Sequence, residues 1–153
     1  MLKKRWVKNW AMCLAVVAGG FVLLNLLFIL YALLGTLAEY LLPEYITLAS
    51  FWFGPTLHLV FLLLIGFISW LVFRTQWPVL IKSIYLSVPI AVALVTVGMF
   101  LNQNPVIAFL LSALICIGVL YYFYHTKKPW LYSYAVGLTA ISLAIFSLLG
   151  GQI

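Results

Sequence analysis

Charged side chains are scarce in this sequence. Only 7% of its 153 residues are charged, and aspartate does not occur at all. A water-soluble domain carries about 25% charged residues, so this chain has too little polar surface to fold as a soluble globule. Its hydrophobic content of 67% excludes a disordered chain, and its two cysteines are too few for a disulfide-stabilised scaffold. The class that is left is a multi-pass membrane protein.

Long apolar runs make up most of the chain. A helix needs about 20 predominantly apolar residues to cross a bilayer core of roughly 30 Å. The runs that meet this requirement cover residues 10–33, 50–73, 83–101, 105–124 and 131–149. Each run is continuously apolar, whereas a barrel strand would alternate and would be only about 10 residues long. The sequence therefore predicts an all-α fold, with residues 1–153 forming a single membrane domain built as a bundle of five transmembrane helices.

The basic residues predict how this bundle is oriented. With five spans, the segments before the first helix, between the second and third helices, and between the fourth and fifth helices share one side. Those segments hold all 8 Lys and Arg residues, and both acidic residues lie on the other side. Because Lys and Arg accumulate in cytoplasmic loops, we expect a cytoplasmic N-terminus and an external C-terminus in the cell membrane. This orientation accounts for the net charge of +6, so a nucleic-acid partner is not needed to explain it.

One connection is longer than the others. The first outer connection covers residues 34–49 and contains both acids, Glu39 and Glu44. Because Pro43 interrupts helices, we expect either an extension of the first helix or an interfacial segment broken at this proline. A docking surface for an external partner is expected on this segment.

Groups that could carry chemistry are few. The two histidines, His58 and His125, lie at different depths. No His-x-x-x-His or Cys-x-x-Cys pair, glycine-rich phosphate loop or nucleophile elbow occurs. The sequence therefore predicts no enzymatic activity, no metal site and no cofactor.

A layer of polar side chains is the strongest local signal. At 1.5 Å per residue, one polar residue of each helix lies roughly 3–7 Å outside the membrane midplane. These residues are Asn25, His58, Thr96, Ser112 and Ser142. Ionisable residues are costly in hydrocarbon and usually face the bundle interior, so we expect His58 to hydrogen-bond Asn25 or one of the hydroxyls. The layer is interpreted as structural, as a ligand or proton site, or as a contact of His58 with another subunit.

Small residues repeat at four-residue spacing on two of the helices. They are Ala11, Ala15 and Gly19 on the first helix and Ala108, Ser112 and Cys116 on the fourth. Small side chains allow helices to approach closely in lipid. We therefore expect packing seams on both faces, within the subunit or between subunits.

The string Phe53-Gly54-Pro55 stands before the second helix. Together with the five-helix count and the aromatic content, it resembles an element of the tryptophan-rich sensory protein family, also called the translocator proteins. The resemblance covers a handful of residues. Where that family has a tryptophan shortly afterwards, this chain has Leu57 and His58, and the family's Trp-rich features in the third helix have no counterpart. We therefore assign no family from the sequence.

Three functions fit these observations. The small loops, the few functional polar groups and the dense aromatic belt on the cytoplasmic side favour a non-enzymatic subunit or regulator of a membrane complex, acting through intramembrane contacts. One alternative is a small oligomeric transporter or channel with the polar layer around His58 on its path. The other is a binder of a lipid-like or porphyrin-like small molecule in an apolar cavity. The expected partners are membrane lipid and either further copies of the chain or another membrane protein.

Overall fold

The computed structural model describes residues 2–42 and 53–148. Within these ranges every regular element is a helix. In chain order these are α1 (Leu2–Leu41), α2 (Phe53–Arg74), α3 (Val79–Phe100), α4 (Pro105–His125) and α5 (Trp130–Leu148). All five are long and apolar enough to cross a membrane. The predicted all-α architecture with five membrane-length helices is confirmed, while the orientation of the termini stays a prediction.

The first helix extends beyond its apolar run at both ends. It begins at Leu2 instead of residue 10, and it continues past residue 33 to Leu41, as one of the two alternatives for the first outer connection expected. Hydropathy alone set the predicted ends, but Lys and Arg are good helix formers and no proline occurs before Pro43. A residue before proline disfavours the helical conformation, which explains why α1 stops where it does. Residues 34–41 of the predicted outer connection are therefore helical, and residues 43–49 lie outside the described part of the chain.

The third helix also begins earlier than predicted, at Val79 instead of residue 83. The prediction started it after Lys82 because a cation is unfavourable in lipid. In the structure this side chain folds back onto the end of α2, where its Nζ donates to the carbonyl oxygens of Thr75 (2.7 Å) and Phe73 (3.2 Å). A basic group that caps the last carbonyls of a helix is favourable. The Lys82 amine, which belongs to the first turns of α3, therefore bonds the end of α2 and stabilises the turn between the two helices.

The central helix of the bundle is α3. It packs against α1, α2, α4 and α5, and its buried residues cover most of its circumference. One apolar cluster joins α1, α3, α4 and α5 around Leu86 and Val136. A second cluster joins α1, α2 and α3 around Phe61 and Val92. The other four helices are therefore positioned by their contacts with α3.

Two glycines bring α1 and α3 close together. A Cβ atom at Gly19 would lie 2.8 Å from Cγ2 of Ile84, and one at Gly20 would lie 3.1 Å from Oγ of Ser87. Val16, one turn before Gly20, is fully buried. The seam predicted on the first helix is therefore present at Gly19, but the buried face is centred on Val16 and Gly20, and the start of the predicted stripe is exposed.

Candidate functional site

His58 and Thr96 form a buried polar contact between α2 and α3. The His58 side chain is 5% exposed, and its Nε2 lies 3.0 Å from Oγ1 of Thr96. The Thr96 hydroxyl donates its only proton to the carbonyl oxygen of Val92, 2.6 Å away on the preceding turn. Oγ1 must then accept from His58, which assigns the neutral tautomer with the proton on Nε2. His58 thus points inward and bonds one of the hydroxyls that the sequence proposed.

The other ring nitrogen of His58, Nδ1, is buried and has no hydrogen-bond partner among the described residues. Aromatic rings that the sequence reasoning did not include stand beside it. The Tyr31 ring meets the imidazole edge-on at a centroid distance of 5.4 Å, and the Phe61 ring lies 6.5 Å away. A buried acceptor without a partner costs about 1–3 kcal/mol. Nδ1 is therefore the atom of this cluster with which a hydrogen-bond donor would interact.

The structure does not bring the other three residues of the predicted polar layer to His58. Asn25 is exposed on α1, where its Nδ2 donates to the carbonyl oxygen of Phe21 at 2.7 Å. Ser112 is half-buried on α4, and Ser142 is exposed on α5. Residues at one depth meet only when the rotations of their helices agree, and apolar packing sets those rotations. The layer is therefore reduced to the histidine–threonine pair, whose role as a site stays a prediction.

The acidic and metal-ligating groups form no centre in the described part of the chain. Glu39 is exposed in the last turn of α1. Glu44 lies outside the described residues, so the outer docking segment stays a prediction. Within the described ranges, no three His, Cys, Asp or Glu side chains come together as a metal site would require.

A groove of about 440 Å³ lies between α3, α4 and α5. Side chains too short to fill the space between the helices line it from α4 and α5, among them Ala108, Ser112, Cys116, Ala140 and Ala144. Within the chain, the seam predicted on the fourth helix is therefore not closed. Ala108 and Ser112 line this open space, whereas Cys116 lines it and also packs against the apolar cluster around Leu86 and Val136.

The polarity of the groove changes along its length. Asn102, in the α3–α4 turn, and Ser147, in the last turn of α5, lie at the same end of the groove, which we call its mouth. Ser112 lies two turns into α4, roughly 10 Å from the start of that helix at 1.5 Å per residue. The lining residues further in are Ala113, Cys116 and Ala140, which are small and carry no hydroxyl or amide group. A concave apolar space of about 300–1,000 Å³ with a few placed polar groups is typical of small-molecule sites.

Sequence reasoning missed this groove, although part of the signal was present. Ala140 and Ala144 repeat on the fifth helix at the same four-residue spacing as the stripe on the fourth. At the opposite end of these helices, the rings of Phe123 and Tyr132 pack at a centroid distance of 5.6 Å. Large rings fill the space between α4 and α5 at one end, and small side chains leave the space open at the other end.

Comparison with protein-family models, with curated proteins and with solved structures found no match to this chain. Its function is therefore inferred from its own residues, chiefly those of the groove, the His58–Thr96 pair and the exposed Asn25.

Proposed function

We propose that this chain is a non-enzymatic integral membrane protein that binds an uncharged, lipid-like molecule in the groove between α3, α4 and α5. Its five membrane-length helices support an integral membrane protein. The observation that most supports ligand binding is the graded polarity of the groove, with Asn102 and Ser147 at the mouth and apolar walls further in. That gradient matches a molecule with a polar group at one end and an apolar chain at the other.

The lining defines the chemistry of the ligand. No charged side chain of the described residues lines the groove, and a charged group would lose its hydration there without gaining a counter-ion from them. One amide and two hydroxyls can donate to or accept from a hydroxyl, ester or carbonyl group. The ligand class is therefore an uncharged lipid or a similar amphipathic molecule.

Selectivity would come from the polar end of the groove. An apolar chain gains little by moving from lipid to protein, because acyl chains are as apolar as leucine. The hydrogen bonds of Asn102 and Ser147, together with the shape of the gap, would then distinguish one membrane lipid from another. The groove is only partly enclosed, so a chain can enter it without unfolding the bundle.

The test is to purify the protein in a mild detergent and to identify retained lipid by native mass spectrometry. Ala144→Phe places a ring in the groove, and we expect most of the bound lipid to be lost. Gly118→Phe on α4 is the matched control, because an added Cβ there meets no atom within 4 Å. Equal retention by both variants, or no retained lipid in the unaltered protein, would contradict the proposal.

A subunit or regulator of a membrane complex is the second candidate. It is supported by Asn25, which is exposed in the membrane-spanning part of α1. Hydrocarbon offers an amide no hydrogen-bond partner, so a polar group there is typical of a helix–helix interface. The transporter alternative would need water to reach His58, and the close packing of Tyr31 and Phe61 against that ring does not favour it.

A further inference from the structure

The Asn25 amide, on the exposed side of α1, uses only part of its hydrogen-bonding capacity. One N–H of its Nδ2 is bonded to the carbonyl oxygen of Phe21. The second N–H and Oδ1 have no partner among the described residues, and lipid supplies none. A polar residue that faces hydrocarbon is unfavourable unless another helix covers it. This side chain therefore points to a contact that the single chain does not make.

Residues with a seven-residue repeat surround Asn25 on the same face. One series is small except for the asparagine itself, and all of its members are exposed: Ala11, Ala18, Asn25 and Ala32. A second series is large, with exposed fractions of 65%, 69% and 72%: Leu14, Phe21 and Phe28. Small and large residues that alternate at spacings of three and four form the knobs and holes of a left-handed helix pair. The first series covers about 32 Å along the helix, enough to cross a bilayer core.

No helix of the described part of the chain packs against this face. α1 packs on α3 through Val16 and Gly20, and at 100° per residue these positions lie on the opposite side of the helix from Asn25. The groove receives no residue from α1. A contact through the seven-residue series would therefore displace neither the core nor the ligand site.

We propose that two copies of this chain pair in parallel through this face of α1, with their Asn25 amides hydrogen-bonded to each other. Copies of one membrane protein insert in the same direction, so both asparagines come to the same depth. An amide is both donor and acceptor, and a two-fold axis places it against its own copy. A single asparagine in an otherwise apolar seam is also the device that fixes register in paired helices. The proposal deepens the second candidate function and names its partner.

Disulfide cross-linking in native membranes tests this pairing. Cys13 and Cys116 are first replaced by serine, and a single cysteine is placed at Ala18 or, as the control, at Val17. Val17 is also exposed, at 41%, but it lies outside the seven-residue series. We expect Ala18→Cys to give a cross-linked dimer of this chain and Val17→Cys to give little. Equal yields, no dimer from either, or a product with a different protein would overturn the proposal.

The amide itself is tested in the cross-linking background. Asn25→Leu keeps the size of the side chain and removes the hydrogen bonds, so we expect dimer affinity to fall about three- to thirtyfold. Asn25→Gln keeps an amide and should retain most of the dimer. An unchanged affinity in Asn25→Leu would contradict the role of the amide. Lipid retention by the Asn25 variants should equal that of the cysteine-free background from which they are made, so failure of the pairing and failure of the ligand site are distinguishable.

Discussion

Replacing Gly19 with alanine tests the close approach of α1 and α3. The new Cβ would lie 2.8 Å from Cγ2 and 3.0 Å from Cδ1 of Ile84. Cγ2 is attached directly to Cβ, and a β-branched side chain in a helix has one strongly preferred χ1 rotamer. Ile84 therefore cannot rotate out of the way, and the two helices must separate.

The size of the effect follows from two opposing contributions. Overpacking of a close contact costs about 1–3 kcal/mol, while replacing a helical glycine with alanine returns up to about 1 kcal/mol. We expect Gly19→Ala to lower the free energy of unfolding by about 0.5–2 kcal/mol. The assay is unfolding in mixed micelles with increasing denaturing detergent, followed by the fluorescence of the 6 tryptophans.

Two variants separate the clash from other effects of alanine. An added Cβ at Gly66 meets no atom within 4 Å, so Gly66→Ala should leave the stability unchanged or raise it. Ile84→Ala removes the atoms that collide with the new Cβ. In a double-mutant cycle the Gly19 and Ile84 substitutions should be coupled by about 0.5–3 kcal/mol. Equal stabilities of the two glycine variants, together with no coupling to Ile84, would refute the packing described for α1 and α3.

The remaining predictions use the same unfolding assay. Thr96→Val leaves both ring nitrogens of His58 without partners and should cost about 1–3 kcal/mol, whereas adding His58→Phe should restore most of that loss; a double variant no more stable than Thr96→Val would contradict the pair. Lys82→Met removes the amine from the end of α2 and should cost about 0.5–1.5 kcal/mol, while Lys128→Met should change little. Lys127→Gly should stabilise the protein by about 1 kcal/mol, because φ at this position is 50° and glycine has no Cβ penalty there; a loss of stability would contradict this.

The number of spans was predictable because each membrane helix is determined by its own run of residues. Hydropathy over about 20 positions decides whether a segment crosses, and no contact with another helix is needed for that decision. The start of α1 was not predictable in this way, and its end was left between two alternatives, an extended helix and an interfacial segment. Its extension to Leu41 depends on helix propensity outside the apolar run, a property that hydropathy does not measure.

The candidate site was predictable in depth but not in rotation. Counting residues from the helix midpoints placed His58 and Thr96 at one level, and they do meet. The same count placed Asn25 with them, yet its side chain faces the other way. The rotation of α1 is set by the close contacts of Gly19 and Gly20 with α3. The sequence of α1 alone does not show that these two glycines face α3.

The groove depends on a difference between two ends of a helix pair. Small residues on α4 and α5 close into a seam when nothing holds the helices apart, and they leave a gap when something does. The rings of Phe123 and Tyr132 pack against each other between α4 and α5 at the opposite end from the groove. The outcome follows from the joint packing of three helices, so one helix read alone predicts a seam where the structure has a groove.

The depth of the groove mouth and the parallel pairing of α1 both rest on a chain that crosses the bilayer five times with its basic loops on one side. Single cysteines at Gln76, Gln103 and Thr126 report the three turns between α2 and α5, all of them exposed. In a Cys13→Ser, Cys116→Ser background, a membrane-impermeant thiol reagent should label Gln103→Cys on intact cells. It should reach Gln76→Cys and Thr126→Cys only after the membrane is opened. Labelling of Gln76→Cys and Gln103→Cys from the same side would contradict the five-span arrangement.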